Sequence, residues 1–305
     1  MDMQTRPDLK VWHVGLTDLW LWALAAFLAM AGCSRREEPR PAGGSPPPAA
    51  ATPAAPAATP DGLHAALRAR NPVYNGRGQF EFEAGHVVAA ALPSSGVSDL
   101  SPLSGLPLRH LDLGETPVRD LGPLRSMPLE FLALEKTAVE SLEPLRGVPL
   151  KELWLNQTPV RDLGPLEGMP LTKLNLLGTQ VQDLKPLRGM PLDTLWLNQT
   201  PVRDLGPLAG LPLISLTVEG TRVSDLSPVR QLPTLERLHI AETPVGDLSP
   251  LQGLRLRRLI FTPSRIRKGL QVARDMISLA EVGLTLEGQM PPQRFWQLYD
   301  AGELK

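Results

Sequence analysis

From Val97 onward the chain repeats itself. The phrase Val-x-Asp-Leu-x-Pro-Leu starts at Val97, Val118, Val139, Val160, Val181, Val202 and Val223, with a period of 21 residues, and again at Val245 after 22. The third copy carries Ser141 in place of Asp, and the 228–229 pair of the seventh reads Pro-Val. The extra residue lies in Leu232-Pro-Thr-Leu-Glu-Arg-Leu238, where the other copies read Pro-Leu-x-x-Leu. A unit this short cannot bury its apolar face alone, so it must stack on its copies, and stacking produces a solenoid that grows along one axis. Two ordinary domains, which 305 residues would otherwise allow, are thereby excluded.

The spelling of one unit predicts its local structure. In Leu153-Trp-Leu155 the two-residue strand period turns both leucines inward and Trp154 outward. Stacked copies then form a parallel sheet with one strand per unit. Thr116, Thr137, Thr158, Thr179, Thr200, Thr221 and Thr243 occupy one register position, and a hydroxyl there is placed to bond buried turn backbone. The Asp-Leu-x-Pro-Leu segment predicts a short 3₁₀ or helical turn, with Pro in its first turn and Asp accepting from the free amides at its start. That reading of Asp99, Asp120, Asp162, Asp183, Asp204, Asp225 and Asp247 competes with a calcium ladder. Calcium takes six to eight oxygens, and each rung supplies one carboxylate, so capping is the expectation.

Leu-x-x-Leu-x-Leu at a period of this size is the leucine-rich-repeat signature. The pattern resembles the internalin-like, proline-rich class of bacterial leucine-rich repeats over residues 94–264. The fold class this implies is an α/β repeat solenoid, a horseshoe or arc with a parallel concave sheet, short 3₁₀ turns on the convex side and a cap at each end. Asn71-Pro-Val-Tyr-Asn-Gly76, Phe80-Glu-Phe82 and Val87-Val-Ala-Ala-Ala-Leu92 resemble the lead-in of that class, a short helix and hairpin in an N-terminal cap over residues 61–93. Ile266 to Leu279 and Pro291 to Tyr299 resemble its helical closure, a C-terminal cap over residues 265–305. Some members carry a serine/threonine kinase. This chain has no Gly-x-Gly-x-x-Gly, His-Arg-Asp or Asp-Phe-Gly, so that part does not carry over.

The start of the chain reads as an address. A polar opening with Arg6 and Lys10 precedes an apolar stretch from Leu19 to Ala31, too short for the ~20 residues that span a bilayer and suited to a signal-peptide core. Leu28-Ala-Met-Ala-Gly-Cys33 resembles a bacterial lipobox. The resemblance implies a lipoprotein signal peptide at 1–32 and lipidation at Cys33, the sole cysteine, with Ser34 after it resembling outer-membrane sorting. Several acyl chains at ~0.8 kcal/mol per buried CH₂ would give a stable anchor. The expected location is the cell envelope, on the outer membrane or a periplasmic face. Residues 33–60 then form a disordered spacer, because Pro39 to Pro60 holds eight prolines and eight alanines and no side chain large enough to start a core. At ~3.1 Å per residue it reaches at most ~80 Å.

No catalytic constellation, metal set or cofactor motif is expected. Basic and acidic residues number 31 and 32, which argues against a nucleic-acid partner. His110 and His239 both project from predicted concave strands, but six rungs at ~4.8 Å separate them by roughly 29 Å. Solvated surface histidine is the expectation for both. What remains is a surface, on which Phe131, Trp154 and Trp196 line up along the concave sheet with Asn156, Asn175 and Asn198 beside them and His239 further along. Aromatic anchors of this kind are enriched in binding hot spots. A competing reading treats Leu153–Leu166 and the identical Leu195–Leu208 as recent copies, the second Trp being inherited. The expected function is a membrane-anchored, monomeric recognition module for a protein or glycan, the alternative a structural envelope lipoprotein without a specific ligand.

Overall fold

The computed structural model describes residues 59–304. The expected signal peptide, Cys33 and all but the last two residues of the expected spacer lie outside the described residues. The described chain begins with helix α1 (Pro60–Arg70), capped by Thr59, whose hydroxyl accepts from the Gly62 amide at 3.1 Å, with Pro60 at its first position. The hairpin β1 (Gln79–Glu83) and β2 (His86–Ala91) follows. Strands β3 (His110–Asp112), β4 (Phe131–Ala133), β5 (Glu152–Trp154), β6 (Lys173–Asn175), β7 (Thr194–Trp196), β8 (Ser215–Thr217), β9 (Arg237–His239) and β10 (Arg258–Ile260) supply one rung each. Helix α2 (Leu270–Arg274), strand β11 (Glu281–Gly283) and helix α3 (Pro292–Asp300) end the chain. The eleven strands form one sheet in sequence order, antiparallel at β1–β2 and parallel from β2 to β11.

The register is constant, and that constancy builds the core. Leu111, Leu132, Leu153, Leu174, Leu195, Leu216, Leu238 and Leu259 pair directly across rungs and are all at most 1% exposed. Full burial of each such side chain contributes about 1.5–3 kcal/mol. Opposite the sheet each unit makes a short 3₁₀ turn, from Ser101–Leu103 to Ser249–Leu251, with proline at its start. The aspartates act as expected. Asp120 Oδ1 accepts from the Gly122 amide at 2.7 Å, Asp162 from Gly164 and Asp204 from Gly206, and Ser141 Oγ substitutes for the missing carboxylate by accepting from Glu143. Among the described residues no cluster of three or more potential metal ligands occurs.

The threonine ladder is complete. Each hydroxyl donates to the carbonyl three residues earlier, from Thr116 to Leu113 at 2.5 Å through Thr179 to Leu176 at 2.8 Å and Thr243 to Ile240 at 2.6 Å. The residue before each threonine lies in the left-handed region, at Glu115, Lys136, Gln157, Gly178, Gln199, Gly220 and Glu242. This tight turn lets the chain leave the strand, and only two rungs use glycine for it.

Both ends are closed. Asn71, 1% exposed, donates to the carbonyls of Leu67 and Asp99 and accepts from the amides of Ser98 and Asp99, joining α1 to the first repeat. At the other end Phe261, Phe295 and Trp296 pack ring on ring, with the Arg274 guanidinium 4.8 Å from the Trp296 ring centre. The expected helical closure is only partly helical. β11 continues the parallel sheet one strand past residue 264, with Arg258 facing Glu281. Gly283 permits this, because a Cβ there would stand 3.0–3.1 Å from the Thr285 and Gly288 carbonyl oxygens.

Candidate functional site

The outward positions of the rungs form columns on the concave face. The first runs His110, Phe131, Glu152, Lys173, Thr194, Ser215, Arg237, Arg258. The second runs Asp112, Ala133, Trp154, Asn175, Trp196, Thr217, His239, Ile260. Alternation carried one step past each strand adds a third, Gly114, Glu135, Asn156, Leu177, Asn198, Glu219, Ala241.

Trp154 and Trp196 belong to the second column, on either side of Asn175 in β6, with ring centres 6.0 Å apart at 43°. Phe131 is not aligned with them. It stands in the first column against His110, at 6.3 Å between ring centres. The single expected aromatic line is therefore two pairs in neighbouring columns, since Phe131 occupies the position two residues earlier in its rung. Both tryptophans are half-buried rather than exposed, because neighbouring rungs leave little room beside a large ring.

The asparagines differ in their tasks. Asn175 accepts from the Leu177 amide at 3.0 Å, just as Asp112 accepts from Gly114 at 2.9 Å, so these two support the strand exit. Asn198, 6% exposed, donates from Nδ2 to Glu219 Oε2 at 2.9 Å, while its Oδ1 is buried with no partner. Trp154 Nε1, Asn156 Oδ1 and Glu135 Oε2 are likewise buried and without partner. A buried polar group left unmet costs about 1–3 kcal/mol, and several such atoms stand on this one face.

His239 departs from the sequence expectation. It is 4% exposed, and neither ring nitrogen has a hydrogen-bond partner. Glu219 Oε1 lies 3.9 Å from Nε2, too far for a hydrogen bond. Burial outweighs the attraction of Glu242 and holds the ring pKa at about 4, so the imidazole is neutral at pH 7. His110 is exposed as expected. The physical reason is the neighbours: His239 sits between Thr217 and Ile260, both buried, whereas His110 stands beside the half-buried Phe131.

Sequence reasoning did not single out Asp112, Glu135 or Glu219. Glu135 is 8% exposed and lies over Gly114, where a Cβ would approach its Cδ to 2.9 Å and Asp112 Oδ1 to 3.2 Å. Burial pushes the carboxyls of both Asp112 and Glu135 up, and Asp112 adds to the rise at Glu135. Reading the alternation one residue beyond the Leu-x-Leu strand would have found both glutamates.

No protein-family model matches the chain, and no curated protein matches it. Solved structures do. Internalin C2 of Listeria monocytogenes is 26% identical over 66% of this chain and 92% of its own, with a TM-score of 0.55. An internalin, InlF, of the same organism is 22% identical over 73% and 74%, with a TM-score of 0.54. The ectodomain of the Arabidopsis thaliana receptor kinase GASSHO1, solved in complex with Casparian strip integrity factor 2, is 17% identical over 64% of this chain and 26% of its own, at 0.51. The fold is that of the leucine-rich-repeat proteins, bacterial ones among them.

Proposed function

We propose that this chain is a non-enzymatic recognition module that binds a protein partner across its concave face while a lipid at Cys33 holds it to a bacterial envelope membrane. One observation carries the reading of the face. Trp154 and Trp196 meet over Asn175 at the middle of the sheet, half-buried, with unmet polar atoms on Trp154, Asn156 and Asn198 around them. Large rings of low side-chain entropy at the centre of a patch, ringed by polar groups, have the composition of a binding hot spot. The two rings are further support in that neither belongs to the apolar core of the solenoid. The complex of the plant ectodomain with Casparian strip integrity factor 2 is a property of that protein, and it supports the reading only in that the same architecture accommodates a partner.

The experiment is a pull-down from envelope extract with the whole chain and with Trp154→Ala and Trp196→Ala. A discrete partner retained by the parent and lost by both variants, with unchanged circular dichroism, supports recognition. Equal retention removes this face from the reading. A broad set of components with no stoichiometric partner favours the structural envelope role instead. Glycan capture by the same face would keep the site and change the ligand class. The anchor is tested separately by acyl labelling: label that persists in Cys33→Ser overturns it.

A further inference from the structure

The concave strip carries a charge bias that the repeat does not require. Along its second and third columns and the left-handed position beside them stand Asp112, Glu115, Glu135, Glu219 and Glu242, with Lys136 as the one cation, paired with Glu115. The whole chain is balanced, with 31 basic and 32 acidic residues, so the bias is local. Two carboxylates of the first column are already answered, Glu152 by Lys173 at 2.7 Å and Glu281 by Arg258 at 2.5 Å. Asp112 and Glu135 form no ion pair, the Lys136 charge acting on Glu135 only at a distance, and Glu219 meets the Asn198 amide and the neutral His239 ring 3.9 Å away.

A second feature is an unmet acceptor. Asn198 is 6% exposed, and its bond to Glu219 fixes the amide with nitrogen toward the carboxylate. Its Oδ1 is therefore an acceptor with no donor, beside Trp196 and the Glu219 carboxylate. Acceptors of this strip thus need donors, its carboxylates need cations, and between the two acidic ends lie ring faces that attract cations and aliphatic stems alike.

We propose that the ligand of this face is an extended cationic polypeptide segment lying along the solenoid axis, with one Lys or Arg at Asp112 and Glu135 and another at Glu219 and Asn198. This rests on the reading of the concave face as a protein-binding surface. The spacing follows from the rungs. Glu135 and Glu219 belong to rungs four apart, ~19 Å at ~4.8 Å each, which an extended chain covers in about six residues at ~3.3 Å per residue. The segment between the two cations crosses Trp154 and Trp196. A neutral glycan would leave the carboxylates unanswered, and an acidic peptide would be repelled.

The probes are Gly/Ser peptides bearing two lysines about six residues apart, the same peptide with both lysines acetylated, one with glutamates in their place, and a neutral linear β-linked hexasaccharide. Binding to the full chain is measured by fluorescence anisotropy at low and at moderate salt. The lysine peptide is expected to bind, to weaken as salt rises, and to lose about tenfold on acetylation. Glu135→Gln and Glu219→Gln are each expected to weaken it about tenfold, with unchanged circular dichroism. No binding of the lysine peptide, equal binding of its acetylated form, or preference for the acidic peptide or the glycan overturns the proposal. The two layers separate cleanly. If the tryptophan variants lose the envelope partner while Glu135→Gln and Glu219→Gln retain it fully, the cationic assignment fails and the face stands. If no variant on the face changes partner retention, both fail.

Discussion

Acidification offers a sharp test of the burial of His239. Its ring is 4% exposed with both nitrogens unpartnered, and its pKa is held at about 4 against 6.5 for a free histidine. The folded state therefore refuses a proton that the unfolded chain accepts. The sign follows directly. Above pH 6.5 both states are neutral at this residue and stability is complete; as pH falls from 6.5 toward 4, only the unfolded state gains the proton and stability is lost. At 1.36 kcal/mol per pKa unit the full loss is about 3 kcal/mol, of which about 2 kcal/mol is gone at pH 5. The carboxyls of Asp112 and Glu135, pushed up by burial, act in the opposite sense, since a folded state that takes up protons more readily gains stability in acid. The histidine must be isolated by comparison. Urea midpoints of the parent and of His239→Leu are measured from pH 7.5 to 4.5, and the His239 ring is followed by NMR over the same range. The parent should lose about 2 kcal/mol more than the variant between pH 7 and 5. Parallel curves, or a ring that titrates near 6.5, would refute the argument that burial controls this group.

Three further substitutions probe the repeat itself. Thr179→Val keeps the β-branched shape and removes the hydroxyl that donates to the Leu176 carbonyl; that carbonyl still receives the Thr179 amide at 3.0 Å, so the expected loss is about 1 kcal/mol by urea unfolding. Gly269→Ala should cost more than about 3 kcal/mol, read as a fall in thermal midpoint, because φ is +78° and a Cβ would come within 2.7 Å of the Leu248 carbonyl carbon. Asp162→Ala leaves the Gly164 amide without its 2.8 Å acceptor at an exposed turn, and a loss of about 0.5–1 kcal/mol should appear in the same unfolding assay.

Much of the fold was legible before any coordinate. The period placed every rung, the leucines of Leu-x-Leu marked the inward side, and the threonine and aspartate columns act at each rung as their chemistry predicts. Such features are local or repeat with the unit, so one solved unit solves all. The candidate site was legible in part. Trp154, Trp196, Asn156 and Asn198 do share one face, because strand alternation dictates it. Phe131 was misplaced by one column, and His239 was expected in solvent. Neither error lies in the identity of the residue. A residue's exposure on this sheet depends on its neighbours one rung away, about 21 positions distant in the chain.

The sequence by itself determined the solenoid, its register, its ladders and the side of the sheet to which each residue points, since these follow from periods of 21 and of two. The tertiary structure alone decided the rest: which polar atoms remain unmet, that Asn198 is oriented by Glu219, that Glu135 covers Gly114, and that β11 extends the sheet past the last repeat. The reason is physical. Direction is a property of backbone geometry within a rung, whereas burial, pKa and unmet hydrogen bonds are properties of stacked side chains, and stacking exists only once the rungs are brought together.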